Sequence, residues 1–108
     1  MIEVNELRAL CGDDDSMVKM LLSIYLEEYG ESDNVLQSRF SKDDVNGLFQ
    51  LSHELKGMFS NLCAKEAMTL AQAIESSSQA GSLPARNDIN ALCGKIKEIN
   101  QQIAGILQ

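Results

Sequence analysis

The chain has 108 residues, 44% of them apolar, and a formal net charge of -7 at pH 7. That length suits a single domain spanning residues 1–108, one able to bury about two thirds of the surface its unfolded form exposes. The acidity argues against nucleic acid and membrane surfaces as partners, and no apolar run approaches the roughly 18 residues of a membrane span.

The start, Met1-Ile2-Glu3, lacks the basic region of a signal peptide, so a cytoplasmic location is expected. Cys11, Cys63 and Cys93 form no Cys-x-x-Cys pair and fall at or near apolar helix positions, which suits reduced thiols used as small hydrophobes. With one histidine and scattered cysteines, no metal-ligand cluster is expected.

Nothing in the chain reads as a strand, and the single proline and most glycines fall where helices should begin or end. A short first helix near Val4 to Leu10 stops at Gly12, and Asp13-Asp14-Asp15-Ser16 then supplies capping oxygens and negative charge to a second. The second helix is expected to be long, from about Ser16 to Phe40, with a bend at Gly30. Between Met17 and Leu26 its apolar positions cover roughly two thirds of the helical wheel, more than one buried stripe needs. A helix central to a bundle would bury two faces. An apolar docking patch would leave part of that surface exposed, and Met17 and Met20 suit an adaptable partner surface.

The third helix opens at Ser41 or Asp43 and places Leu48, Leu51, Leu55, Met58, Phe59 and Leu62 in one arc. A fourth covers about Lys65 to Ser78 with Leu70, Ala71 and Ile74 inward, and Gly81-Ser82-Leu83-Pro84 supplies a stop and a restart. In the last helix Ile89, Leu92, Ile96, Ile99, Ile103 and Ile106 recur at intervals of three and four, a spacing that lays one seam against neighbours. Four helices with short connections, plus the short first one, predict an all-α fold built as an antiparallel bundle.

The only histidine, His53, lies nearly opposite the apolar arc of the third helix, on a polar stripe with Asn46, Gln50, Gly57 and Ser60. It should face solvent. Lys56 and Gly57 flank it in the next turn, because residues three and four apart are neighbours on a helix surface. Lys56 can supply positive charge to phosphoryl oxygens. Glycine inside a helix costs on the order of 1 kcal/mol relative to alanine, and its missing side chain leaves room beside the imidazole for a phosphoryl group or a partner's active site.

The run His53-Glu54-Leu55-Lys56-Gly57 follows a long helix with an acidic cap and precedes Leu70 and Ile74-Glu75 at helical spacing. Together these resemble the histidine-containing phosphotransfer (HPt) domain of two-component phosphorelays, over essentially the whole chain. The chain departs from the family pattern at Met58 and Phe59, where small residues are usual, and at Cys63, where glycine is common.

The resemblance implies an up-and-down four-helix bundle with an extra short helix, in which His53 is the phosphoacceptor and Lys56 and Gly57 occupy matching family positions. It implies that a receiver domain bearing an aspartyl phosphate docks on the second and third helices. There the ring nitrogen remote from the backbone attacks phosphorus in line. Met17, Met20, Gln50, Glu54 and Ser60 are expected to meet that partner, with Gln50 and Ser60 offering hydrogen bonds. The expected partners are response-regulator receiver domains and a sensor histidine kinase, and a monomer suffices. No cofactor is expected in this chain, and the divalent metal would belong to the receiver. The chain has no glycine-rich phosphate loop, so it should be a phosphocarrier with no ATP site of its own.

Two alternatives share the fold. One is a binding-only adaptor that sequesters a response regulator, and the other is the phosphotransfer portion of a larger sensor kinase. An initiator-like Met1 favours a free-standing protein. A bundle using a catalytic thiol is a more distant reading.

Overall fold

The computed structural model describes residues 1–108. It contains six α-helices and no strand: α1 (Val4–Leu10), α2 (Asp15–Tyr29), α3 (Ser32–Ser41), α4 (Val45–Asn61), α5 (Lys65–Gln79) and α6 (Arg86–Leu107). No helix is long and apolar enough to cross a membrane.

Four of the connections begin with the same backbone device. After α1, α3, α4 and α5 the chain turns through the left-handed region at Gly12 (φ 65°), Asp43 (φ 54°), Cys63 (φ 57°) and Gly81 (φ 83°). At each, an N–H one residue further on bonds the carbonyl five residues back, as in Asp44 N–H to Arg39 O (2.9 Å) and Ala64 N–H to Phe59 O (2.8 Å). These are Schellman turns, which satisfy carbonyls that a helix end leaves without partners. Glycine takes this conformation freely, whereas Asp43 and Cys63 take it against the clash of Cβ with the backbone.

The turn at Asp43 corrects the predicted start of the helix that bears His53. That helix opens at Val45, because Asp43 is used to end α3, and Asp44 becomes the cap, accepting from the Gly47 N–H at 2.9 Å. Asp14 plays the same part for α2, accepting from Ser16 and Met17. Pro84 likewise falls outside the last helix, which begins at Arg86 after an extended Ala85.

The expected long second helix is two helices. The break lies at Gly30-Glu31, where Asn100 of α6 donates to the Gly30 carbonyl at 2.9 Å. A Cβ on residue 30 would lie 2.5 Å from the Leu26 carbonyl oxygen, so glycine is required at this corner.

The most extensive contact is between α4 and α5, and α5 also packs on α6, α6 on α3 and α3 on α4, closing a ring of four. Helix α2 continues from α3 and leans on α6, with α1 against it. The Cα envelope, 42 × 22 × 19 Å, has a cross-section suited to four helices whose axes lie about 8–10 Å apart. Tyr25, Leu22, Leu36, Leu48, Leu55, Phe59, Ile74, Ile89, Leu92 and Ile96 are fully buried in one core. Each such aliphatic side chain contributes about 1.5–3 kcal/mol relative to leaving it in water. The apolar arcs read from α4, α5 and α6 face this core, with Met58, Leu70 and Ile106 partly buried at its edge. Cys63 and Cys93 are buried and Cys11 half-buried, all as free thiols.

Candidate functional site

The site forms because α4 and α5 are joined by only Leu62, Cys63 and Ala64. So tight a turn folds α5 back along α4. Residues at similar distances from the turn come level, and His53, ten positions before Cys63, meets Glu75, twelve positions after it.

His53 projects outward, its side chain 64% exposed, as the wheel predicts. Its Nδ1 is hydrogen-bonded to Glu75 Oε2. The other carboxylate oxygen, Oε1, accepts from Lys56 Nζ at 2.5 Å. Glu75 is itself only 10% exposed at its side chain, so one buried carboxylate joins two groups at the surface. A buried carboxylate needs partners of this kind, and here both oxygens have one. The hydrogen bond from Lys56 holds the Glu75 carboxyl below its ordinary pKa, and that from His53 acts the same way, against the upward pull of burial.

An ionised carboxylate only accepts hydrogen bonds. The His53–Glu75 bond therefore requires a hydrogen on Nδ1, and in the neutral ring the lone pair then sits on Nε2. One face of the imidazole is flanked by Phe49, one turn earlier on α4, with ring centroids 6.1 Å apart and planes 19° from parallel. Helix neighbour and cross-helix acid together fix the ring.

Asn46, Gln50, Gly57 and Ser60 are exposed along the same stripe, and Glu54 is exposed beside His53. A Cβ built on Gly57 meets no atom within 4 Å, so nothing inside the molecule demands glycine there. Lys56 is not a free charge beside the ring, since it is committed to Glu75. On α2, Met17, Met20 and Ile24 are exposed, in keeping with the surplus of apolar surface read from that segment.

Two surface hollows exist, one lined by Lys65, Glu66, Thr69 and Leu70, the other by residues around Cys63 and Lys65. Neither includes His53 or Glu75, so the imidazole stands on open surface. No group of three or more histidine, cysteine, aspartate or glutamate side chains converges as a metal site.

Phe49 has no part in the sequence reading of the site, and Glu75 enters it only as one of the residues that carry the family resemblance, with no role assigned. Phe49 could have been found from its spacing of four from His53. Glu75 leaves a subtler signal. On the wheel of α5 it lies at the edge of the buried stripe formed by Ala67, Ala71, Ile74 and Ser78. A glutamate in that place must be paired, although its partners cannot be named from one helix.

The Hpt domain family model matches residues 20–108, from the middle of α2 to the end of the chain. The chain belongs to the Hpt domain family. Hpt domains are phosphocarriers that serve histidine phosphotransfer in phosphorelays, acting with receiver domains and kinases of two-component systems. Comparison with curated proteins and with solved structures found no match.

Proposed function

We propose that this chain is a phosphorelay carrier that accepts a phosphoryl group on His53 from a receiver-domain aspartate and passes it to another receiver. In this reading residues 1–108 are one domain, and the ring of four helices is an antiparallel up-and-down bundle with α1 added at one end. The observation that carries the reading is the Glu75 bond to Nδ1, which leaves Nε2 as the outward nucleophile.

The Nε2 lone pair attacks phosphorus in line. A P–N bond forms as the P–O bond to the aspartyl carboxylate breaks, and that carboxylate departs with the electron pair. The product ring is a phosphoimidazolium whose Nδ1 hydrogen stays against Glu75. Transfer onward is the same step reversed on a second receiver, with neutral imidazole as the leaving group. No proton has to leave in either direction. Glu75 orients the ring and stabilises its positive charge, much as a buried aspartate serves the histidine of a serine hydrolase.

Positioning and charge stabilisation account for most catalysis of phosphoryl transfer. Lys56, on the turn after His53, adds positive potential for the phosphoryl oxygens while holding Glu75 in place. Gly57 leaves space for the partner's active site, which the open surface around His53 requires the partner to supply. That partner brings the divalent metal, and the chain uses no cofactor and no ATP. Met17 and Met20 on α2 and Gln50, Glu54 and Ser60 on α4 form the docking surface for receiver domains and, upstream, a sensor histidine kinase. A cytoplasmic monomer meets these needs.

The test is label transfer from a receiver carrying labelled aspartyl phosphate to the wild type and to His53→Gln. Label on the wild type alone, lost in acid and kept in base, is the expected result. Binding of receivers without any label would replace this reading with that of an adaptor.

A further inference from the structure

The outward face of α2 changes character along its length. At about 100° per residue, Met20, Ile24 and Glu27 fall within roughly 60° of one another, with Met17 and Glu28 at the margin, and Glu31 follows in the turn that ends the helix. All six are exposed. The first half of the stripe is apolar and the second half acidic. Lys19, the exposed cation of this helix, lies roughly 100° round from the stripe.

The acidic half follows the turn of α2 whose buried side packs on α4, the helix that bears His53. Tyr25 of α2 packs its ring 5.8 Å from that of Phe59 of α4. One turn further on, the pKa of the Tyr29 hydroxyl is raised by burial and then by the Glu54 and Glu28 carboxylates. Glu54 directly follows His53. None of Glu27, Glu28, Glu31 and Glu54 forms an ion pair, because the basic groups that do so are Arg8, His53, Lys56, Lys65 and Lys95, each with another acid. The result is a group of carboxylates without ion-pair partners beside an exposed apolar patch.

We propose that this face selects among receiver domains by charge. Met17, Met20 and Ile24 seat an apolar patch on the receiver, and Glu27, Glu28, Glu31 and Glu54 require lysine or arginine on the flank of that patch nearest the phosphorylated aspartate. The inference rests on the reading of the chain as a phosphocarrier for receivers, and it adds which receivers. Complementary fields raise the rate of encounter and suppress wrong partners, whereas the apolar contact governs how long the complex lasts. Exposed charges further apart than about 8 Å are screened at physiological salt, so the preference is sensitive to ionic strength.

The test uses two receiver domains, one with a basic and one with an acidic flank beside its aspartate. Binding to the full chain is measured by titration at low and high salt, alongside label transfer. The basic receiver is expected to bind roughly tenfold more tightly at low salt and to lose most of that advantage at high salt. The triple variant Glu27→Lys/Glu28→Lys/Glu31→Lys is expected to reverse the order of the two receivers, which mere loss of structure would not do. Equal binding of both receivers, or an order that neither salt nor the triple variant alters, would overturn the proposal. Absence of label transfer would instead count against the carrier reading, and the titration would still report the charge preference.

Discussion

Glu75→Gln tests the link between α5 and the reacting ring. The substitution keeps the size but replaces one of the two accepting oxygens with a donating amide, and it removes the charge that faces Nδ1 when the ring becomes positive. A full charge pair about 4 Å apart is worth about 4 kcal/mol at an effective dielectric of 20. The His53 side chain is 64% exposed, so solvent screens much of this, and the charge develops only in part at the transition state. An effect of about 1–2 kcal/mol remains, or roughly five- to thirtyfold in the rate of label transfer. The assay is the initial rate from a phosphorylated receiver, with circular dichroism to confirm folding and nitrogen NMR to read the ring tautomer. The wild type should show hydrogen on Nδ1, and the variant a mixture. A Glu75→Gln rate within twofold of wild type, with the tautomer unchanged, would refute the reasoning. The pH dependence has a definite sign. The folded-state pKa of Glu75 lies below its ordinary 4.5, so its pairing stabilises the protein above that value and is lost as pH falls through the lower one. The stability gap between wild type and Glu75→Gln should therefore close as pH drops below 4.5.

Gly57→Ala should stabilise the bundle by about 0.5–1 kcal/mol, since the new methyl meets nothing, while slowing transfer several-fold. Gly94→Ala, equally open within α6, should raise the melting temperature without slowing transfer; equal transfer by both variants would remove the argument for Gly57. Lys56→Ala leaves the buried carboxylate with His53 alone and should lower stability by about 1–3 kcal/mol in a denaturant titration, where a solvent-facing lysine without partners would give almost no loss. Asp43→Gly should gain about 0.5–1 kcal/mol by relieving the left-handed backbone at φ 54°, because the released strain exceeds the entropy that glycine adds to the unfolded chain. A lower melting temperature for that variant would contradict the turn geometry.

The apolar spacing in α4, α5 and α6 was sufficient to place Leu55, Ala71 and Ile96 inside and His53 outside. Periodicity is a local property, set by 3.6 residues per turn, and it survives whatever the neighbours are. The surplus apolar surface of α2 was legible for the same reason. Helix ends were harder, since whether Asp43 starts one helix or ends another depends on a carbonyl five residues back finding its donor. The division at Gly30-Glu31 depends on Asn100, 70 positions away, reaching the Gly30 carbonyl.

The sequence alone therefore determined an all-helical chain with one exposed imidazole, an adjacent cation and a gap at Gly57. The family resemblance implied the nitrogen remote from the backbone as the outward one, but only the tertiary structure gives the physical reason for it. That choice belongs to Glu75, 22 residues away on another helix. It follows from the length of the α4–α5 turn and the rotation of α5 against α4, which are properties of the packed bundle and of no segment by itself.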